Sequence, residues 1–222
     1  MSRQVIKKTE QYVKNYLEDV ESGHNWWHIR RVRNTAMYIY SIEGVGDPFI
    51  IEMAALLHDI GDHKIKSGNE TVGLKNFLES LIPDTFQADR LTYIINNISF
   101  RDSFSHAYEH IPELDIVQDA DRLDALGAIG IARAFNYGGF KGFEIYNPEE
   151  SPKDYKSSEE YIVSRSSTIN HFYEKLLRLK DMMNTETGKS LAEERHSYME
   201  GFLKQFQREW NAGLSTFADM DL

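Results

Sequence analysis

Along most of the chain, apolar residues recur at three- and four-residue steps between faces rich in Glu, Lys and Arg, which is the pattern of amphipathic helices. Strand-like alternation is scarce. The spacing predicts helices near 3–21, 25–43, 48–60, 70–81, 84–98, 113–136, 159–183 and 188–211. Breakers mark several of the ends: Gly44, Gly46 and Pro48, then Gly61, Pro83, Pro112 and the pair Gly138-Gly139. The expectation is an all-α bundle of about eight helices forming a single domain over 1–222, with its core in about 20–136. The stretch NYGGFKGFEIYNPEESPKDYKSS, 136–158, has no regular pattern and reads as a long loop that is either a functional lid or mobile. Beyond it, 159–211 reads as a helical pair that closes the core.

Composition narrows the picture. With 222 residues, 41% hydrophobic, the chain is long enough for one sizeable core. There is no cysteine, so a disulfide framework and a thiolate metal site are both excluded, and a metal would need nitrogen and oxygen ligands. A net charge of -10 disfavours attraction to a polyanionic backbone, so nucleic acid is not expected as principal partner. Small phosphorylated substrates stay open, because a bound cation reverses the local field. The first residues lack an apolar leader, and no run approaches the roughly 18 apolar residues of a membrane span, which predicts a cytoplasmic protein without a membrane partner.

Three segments hold residues suited to chemistry. IIEMAALL, 50–57, is apolar nearly all round and runs into His58-Asp59. A carboxylate beside an imidazole at the end of a buried helix calls for a positive partner such as a divalent cation, although a helix ending at Gly61 could equally carry the pair as exposed terminal residues. In GHNWWHIRRV, His24 and His28 are one helical turn apart. His28 sits inside the helix and is the better-placed ligand; His24, at its start, is a capping, second-sphere or substrate-side group. In IVQDADRLDALGAIGIARAF, Asp119 and Asp121 lie ~200° apart on a helix, so only one can face a given ion. Asp121 shares the inward side with Val117 and Asp124, whereas Asp119 reads as solvated or paired with Arg122 or Arg133.

His28, His58-Asp59 and Asp121, in this order, with HIRRV and ADRL around the first and last, resemble the HD superfamily of metal-dependent phosphohydrolases. The likeness covers nearly the whole chain and is greatest to its bacterial single-domain group. It implies an HD-domain-like helical bundle in which His28, His58, Asp59 and Asp121 converge from three helices on one divalent cation, Mn, Fe, Ni, Zn or Mg. Open coordination positions would activate a water for attack on phosphorus. The implied function is phosphomonoesterase or phosphodiesterase action on a small phosphate ester, a nucleotide among the candidates. The alternatives are a metal- or nucleotide-binding module without turnover and a helical interaction protein with a vestigial site.

The neighbours then take provisional roles. Asp62, three residues after Asp59, is the candidate general acid or base, or else a cap for the next segment. Lys64 and Arg122 are the nearest cations in sequence for the phosphate oxygens. Lys141, in the Gly-rich loop, either closes over substrate or is an ordinary surface lysine. His106 and His110 read as solvated, so one metal is expected rather than two. His171 reads as packed or capping, and His63 and His196 carry no prediction. Trp26, Trp27, Phe140, Phe143 and Tyr146 could stack on a base, yet aromatics at this density more often build the core.

Overall fold

In the computed structural model, residues 2–18, 25–60, 70–82, 84–98, 108–155, 160 and 165–211 are described, without the side chains of 70–73 and 75. Nine α-helices run through these residues: Ser2–Tyr16 (α1), Trp26–Glu43 (α2), Pro48–Leu57 (α3), Glu70–Leu81 (α4), Thr85–Asn97 (α5), Pro112–Asp124 (α6), Gly127–Lys141 (α7), Thr168–Glu174 (α8) and Glu186–Trp210 (α9). A short 3-10 helix, Leu176–Met182, lies between the last two. No strand occurs among the described residues, and none of their helices is long and apolar enough to cross a membrane.

The most apolar helix is the central one. In α3, Ile50, Ile51, Met53, Ala54, Ala55, Leu56 and Leu57 are all buried, against α1, α2, α5 and α6. Each large side chain among them contributes roughly 1.5–3 kcal/mol by leaving water. Its start is set by Asp47, whose carboxylate accepts from Phe49 N at 2.8 Å, and by Pro48, whose fixed φ suits the first turn. α2 turns Ile29, Val32, Ala36 and Ile39 inward and is capped by Asn25 in front and by Gly44, at φ 66°, behind. Helix α6 packs on both, and ten of its thirteen residues are buried. These three helices carry the candidate site, and α9 lies across α2, α6 and α7.

Three expected elements need correction. The helix foreseen over 113–136 is two helices, broken at Ala125-Leu126, where Leu126 is extended and Gly127 takes φ +69°. The second of them does not end at 136 but runs through Gly138-Gly139 to Lys141, with Gly142 at φ 69° as its cap. Gly138 is a contact point rather than a breaker: a Cβ there would lie 2.2 Å from Thr168 Oγ1, so the missing side chain lets α7 and α8 approach closely. The helix foreseen over 159–183 resolves into α8, begun by the Ser167 cap, and the 3-10 helix, with a break at Lys175. Residues 156–159 and 161–164 lie outside the described residues.

The described part of the expected lid is tied down. Glu144 and Ile145 carbonyls accept from Thr168 and Ile169 N–H groups, and the buried Glu174 carboxylate accepts from Lys153 N, Tyr155 OH and Ser166 Oγ. Tyr146 packs on Phe206 and Trp210, so it belongs to an aromatic layer with Phe135, Phe172 and Phe202 rather than to a binding surface.

Asp119 is neither solvated nor paired through its carboxylate with arginine. It is fully buried, and its carboxylate accepts from Asn184 N, Thr185 N and Thr185 Oγ1 at 2.7–2.8 Å, capping the start of α9. Gly188 leaves room for it, since a Cβ there would lie 2.2 Å from Asp119 Oδ2. Burial raises the carboxyl pKa, with the three donors pulling the other way. Asp119→Ala would leave the half-buried Asn184 and Thr185 N–H groups without this acceptor, at about 1 kcal/mol each. A urea melt should therefore register a loss of about 2 kcal/mol, and an unchanged midpoint would contradict this capping role.

Candidate metal centre

Three helices deliver four acceptor atoms to one point. His28 stands in the first turn of α2, and its ring is fully buried. His58 and Asp59 follow the last turn of α3, so the apolar helix carries both to the interior. Asp121 comes from α6. His28 Nε2 is 3.2 Å from His58 Nε2, 3.4 Å from Asp59 Oδ2 and 3.4 Å from Asp121 Oδ1. His58 Nε2 is 3.5 Å from Asp59 Oδ2 and 3.7 Å from Asp121 Oδ1.

Both imidazoles use their other nitrogen elsewhere. His58 Nδ1 donates to the Ala55 carbonyl at 2.9 Å, and His28 Nδ1 donates to Asp124 Oδ2 at 2.6 Å. The two Nε2 atoms therefore face the centre as lone pairs, beside two carboxylate oxygens. Four acceptors this close repel one another unless a positive charge lies among them. Burial alone would lower the His28 pKa, but bonds to Asp121, Asp124 and Asp59 overcome it and raise it from 6.5 to about 10. Asp121 is held low against the effect of its burial by its bond to His28 and by the charges of both histidines.

The ligand atoms of His28, His58 and Asp59 lie within 4.8 Å of one another, a spacing that suits a shared divalent cation, and Asp121 Oδ1 is 3.4 Å and 3.7 Å from the two imidazoles. Metal–ligand bonds of ~2.1 Å put neighbouring ligand atoms ~3.0 Å apart in an octahedron and ~3.4 Å apart in a tetrahedron, close to the separations observed. Mixed nitrogen and oxygen donors suit a borderline or hard divalent ion. The side chains of His28, His58 and Asp59 are 0%, 2% and 9% exposed, but that of Asp121 is 35% exposed. Asp121 is thus the most solvent-exposed of the four side chains.

The family follows from comparison with known proteins. The HD domain family matches residues 26–126, the span that contains all four residues. The uncharacterized protein YpgQ of Bacillus subtilis is 41% identical over 211 residues, covering 92% of this chain and 94% of that protein. The chain belongs to the HD-domain family. Among solved structures, a HD-superfamily hydrolase from Bacillus thuringiensis superposes with a TM-score of 0.75 at 45% identity, over 96% of this chain and 100% of the other. YpgQ in complex with ADP superposes with a TM-score of 0.71 at 38% identity, over 92% and 97%.

Not every expected residue joins this HD-domain centre. Arg122 does not face it: the side chain is buried, one guanidinium N–H donates to the Met182 carbonyl, and its charge lies near Asp119. Its direction is set by the last residue of the 3-10 helix, Met182, whose carbonyl accepts from it. Lys141 is the last residue of α7 rather than part of a loop, and its ammonium lies 5.7 and 5.5 Å from the rings of Tyr137 and Phe140 on its own helix. His24, Asp62, Lys64, His63 and His106 lie outside the described residues. His110 is exposed and bonded to Asp115 at 2.7 Å. His171 is held neutral, its pKa lowered to about 3 by burial and by Lys175.

Behind His28 stands a support that its own segment does not announce, Asp124 with two arginines. Asp124 Oδ1 accepts from Arg31 Nε at 2.6 Å, and Oδ2 accepts from Arg31 Nη2 at 2.9 Å and Arg133 Nη1 at 2.7 Å. Helical spacing held the signal: Arg31 is three residues after His28 and Asp124 three after Asp121, so each supporter shares a face with a ligand.

Proposed function

We propose that this chain is a metal-dependent phosphohydrolase that cleaves a small phosphate ester of the nucleotide class, with His28, His58, Asp59 and Asp121 holding one divalent cation. The observation that carries the reading is the set of four acceptor atoms, 3.2–3.7 Å apart in five of their six pairs, with solvent access through Asp121. A structural staple would close every coordination position with protein, whereas a centre exposed on one side has room for water and substrate. The bound ion supplies a Lewis acid and acidifies water at neutral pH. The protein's own part is to hold the two Nε2 lone pairs inward, to keep three of the four ligands dry, and to present the phosphoryl group on the Asp121 side. Asp62, three residues past Asp59, is the proposed acid–base group, and Lys64 the proposed cation over the phosphate oxygens.

One observation favours a nucleotide: the relative YpgQ is known in complex with ADP. A cytoplasmic location accords with a substrate of this class. The test is metal analysis of the purified chain, then turnover of mono- and diesters of nucleotides with Mn2+, Fe2+, Ni2+, Zn2+ or Mg2+. Phosphate release should require the cation and stop with a chelator. Uptake of a cation without turnover of any ester would favour the non-catalytic binding module.

A further inference from the structure

Asp124 has more positive partners than one buried carboxylate needs. It is 5% exposed, and three helices converge on it: α2 through His28 and Arg31, its own helix α6, and α7 through Arg133. Neutralising it takes one guanidinium, yet two are bonded to it, and Arg133 also donates to its backbone carbonyl at 3.2 Å. The bonds are unevenly shared. Oδ1 accepts one donor, from Arg31, whereas Oδ2 accepts three, from His28 Nδ1, Arg31 Nη2 and Arg133 Nη1.

That distribution has a chemical effect on the histidine. A carboxylate behind a ligating imidazole normally pulls on its Nδ1 proton and makes the ring more basic. Here the oxygen that meets the proton already receives two charge-assisted bonds, so it accepts the His28 hydrogen bond without taking the proton. The ring is then oriented with Nδ1–H on Asp124 and Nε2 aimed at His58, Asp59 and Asp121. A flipped ring would turn a C–H toward Asp124 and lose the 2.6 Å bond. Among the described residues, His58 Nδ1 instead meets a backbone carbonyl, that of Ala55. Because Asp121 and Asp124 lie one turn apart on α6, the same helix supplies a ligand and the back support of the ligand opposite.

We propose that Asp124, held by Arg31 and Arg133, is the positioning residue that orients the His28 ring through its Nδ1–H bond, turning Nε2 to the cation, and so sets how tightly the four-residue centre takes its cation. This rests on the metal-centre reading given above. The test is the Mn2+ dissociation constant, measured by titration calorimetry for the full chain and for Asp124→Asn, Arg31→Met, Arg31→Lys and Arg133→Met. Loss of such a partner weakens metal binding by about 10–100-fold, the effect expected of Asp124→Asn. Arg31→Met should lose about tenfold, and Arg31→Lys should recover part of it. Variants that fold and bind Mn2+ as the unaltered chain does overturn the proposal.

Should Asp124→Asn fail to fold, Arg31→Met carries the test, because that side chain is 37% exposed and its loss leaves Asp124 bonded to Arg133. A second readout needs no variant: the 15N shifts of His28 in the Zn2+-loaded chain should give a protonated Nδ1 and a bare Nε2. A proton found on Nε2 instead would overturn it. If the unaltered chain itself takes up no cation, it is the metal-centre reading that fails, a result distinct from variants that match a metal-binding parent.

Discussion

His58→Ala should abolish cation uptake and, with it, turnover. His58 is the vertex least replaceable by a neighbour: it follows the last turn of α3, is 2% exposed, and has its ring fixed by the Ala55 carbonyl. Its removal leaves one imidazole of the described pair, His28, near Asp59 and Asp121. A catalytic cation contributes several kcal/mol of transition-state stabilisation, and losing about 4 kcal/mol slows a reaction on the order of a thousandfold. A second measurement separates loss of the ion from loss of the fold. A cation present at about a hundred times its dissociation constant stabilises the folded chain by ~2.7 kcal/mol. The unaltered protein should therefore melt at higher temperature with Mn2+ than without, and the variant should melt alike in both. A variant that keeps the Mn2+-dependent rise would remove His58 from the ligand set.

Cation affinity should climb steeply with pH, because ion and proton compete for His28. The folded pKa, raised to about 10, lies above the ordinary 6.5, so the imidazolium stabilises the metal-free protein fully below about 6.5. That stabilisation fades as pH rises through about 10. A cation needs the Nε2 lone pair, so its uptake between these limits expels about one proton. Apparent affinity then rises about tenfold per pH unit, or about a hundredfold from pH 7 to pH 9. Calorimetry in buffers of different ionisation enthalpy counts the proton directly. Flat affinity over this range, with no proton released, would mean that His28 is already neutral in the metal-free chain.

Much of the site lay open in local patterns. The apolar run before His58 announced a buried helix, and the ~100° step of a helix separated Asp121 from Asp119. Asp121 does turn to the cluster, while Asp119 turns to the start of α9. Helix ends were readable where a cap or a proline stood at the boundary, as at Asn25, Asp47-Pro48 and Asp84. They were misread where the decisive neighbour is distant in sequence. Gly138 looked like a stop because glycine favours turns, yet it lies inside α7 for the sake of Thr168, thirty positions on. Gly127 passed unnoticed in an apolar stretch, although its positive φ is what breaks α6 from α7.

Periodicity, capping residues and the absence of cysteine were enough to specify an all-helical chain and an oxygen- and nitrogen-lined centre, because each depends on interactions within a turn or two of backbone. Which cations stand near that centre was a matter for the packing of remote helices. Arg122 is adjacent to Asp121 in the chain but is drawn to the Met182 carbonyl, while Arg133, a helix away, reaches Asp124. The reason is that a long charged side chain goes wherever a buried acceptor would otherwise be unpaired, and such acceptors come into being only when α2, α6, α7 and the 3-10 helix are packed together.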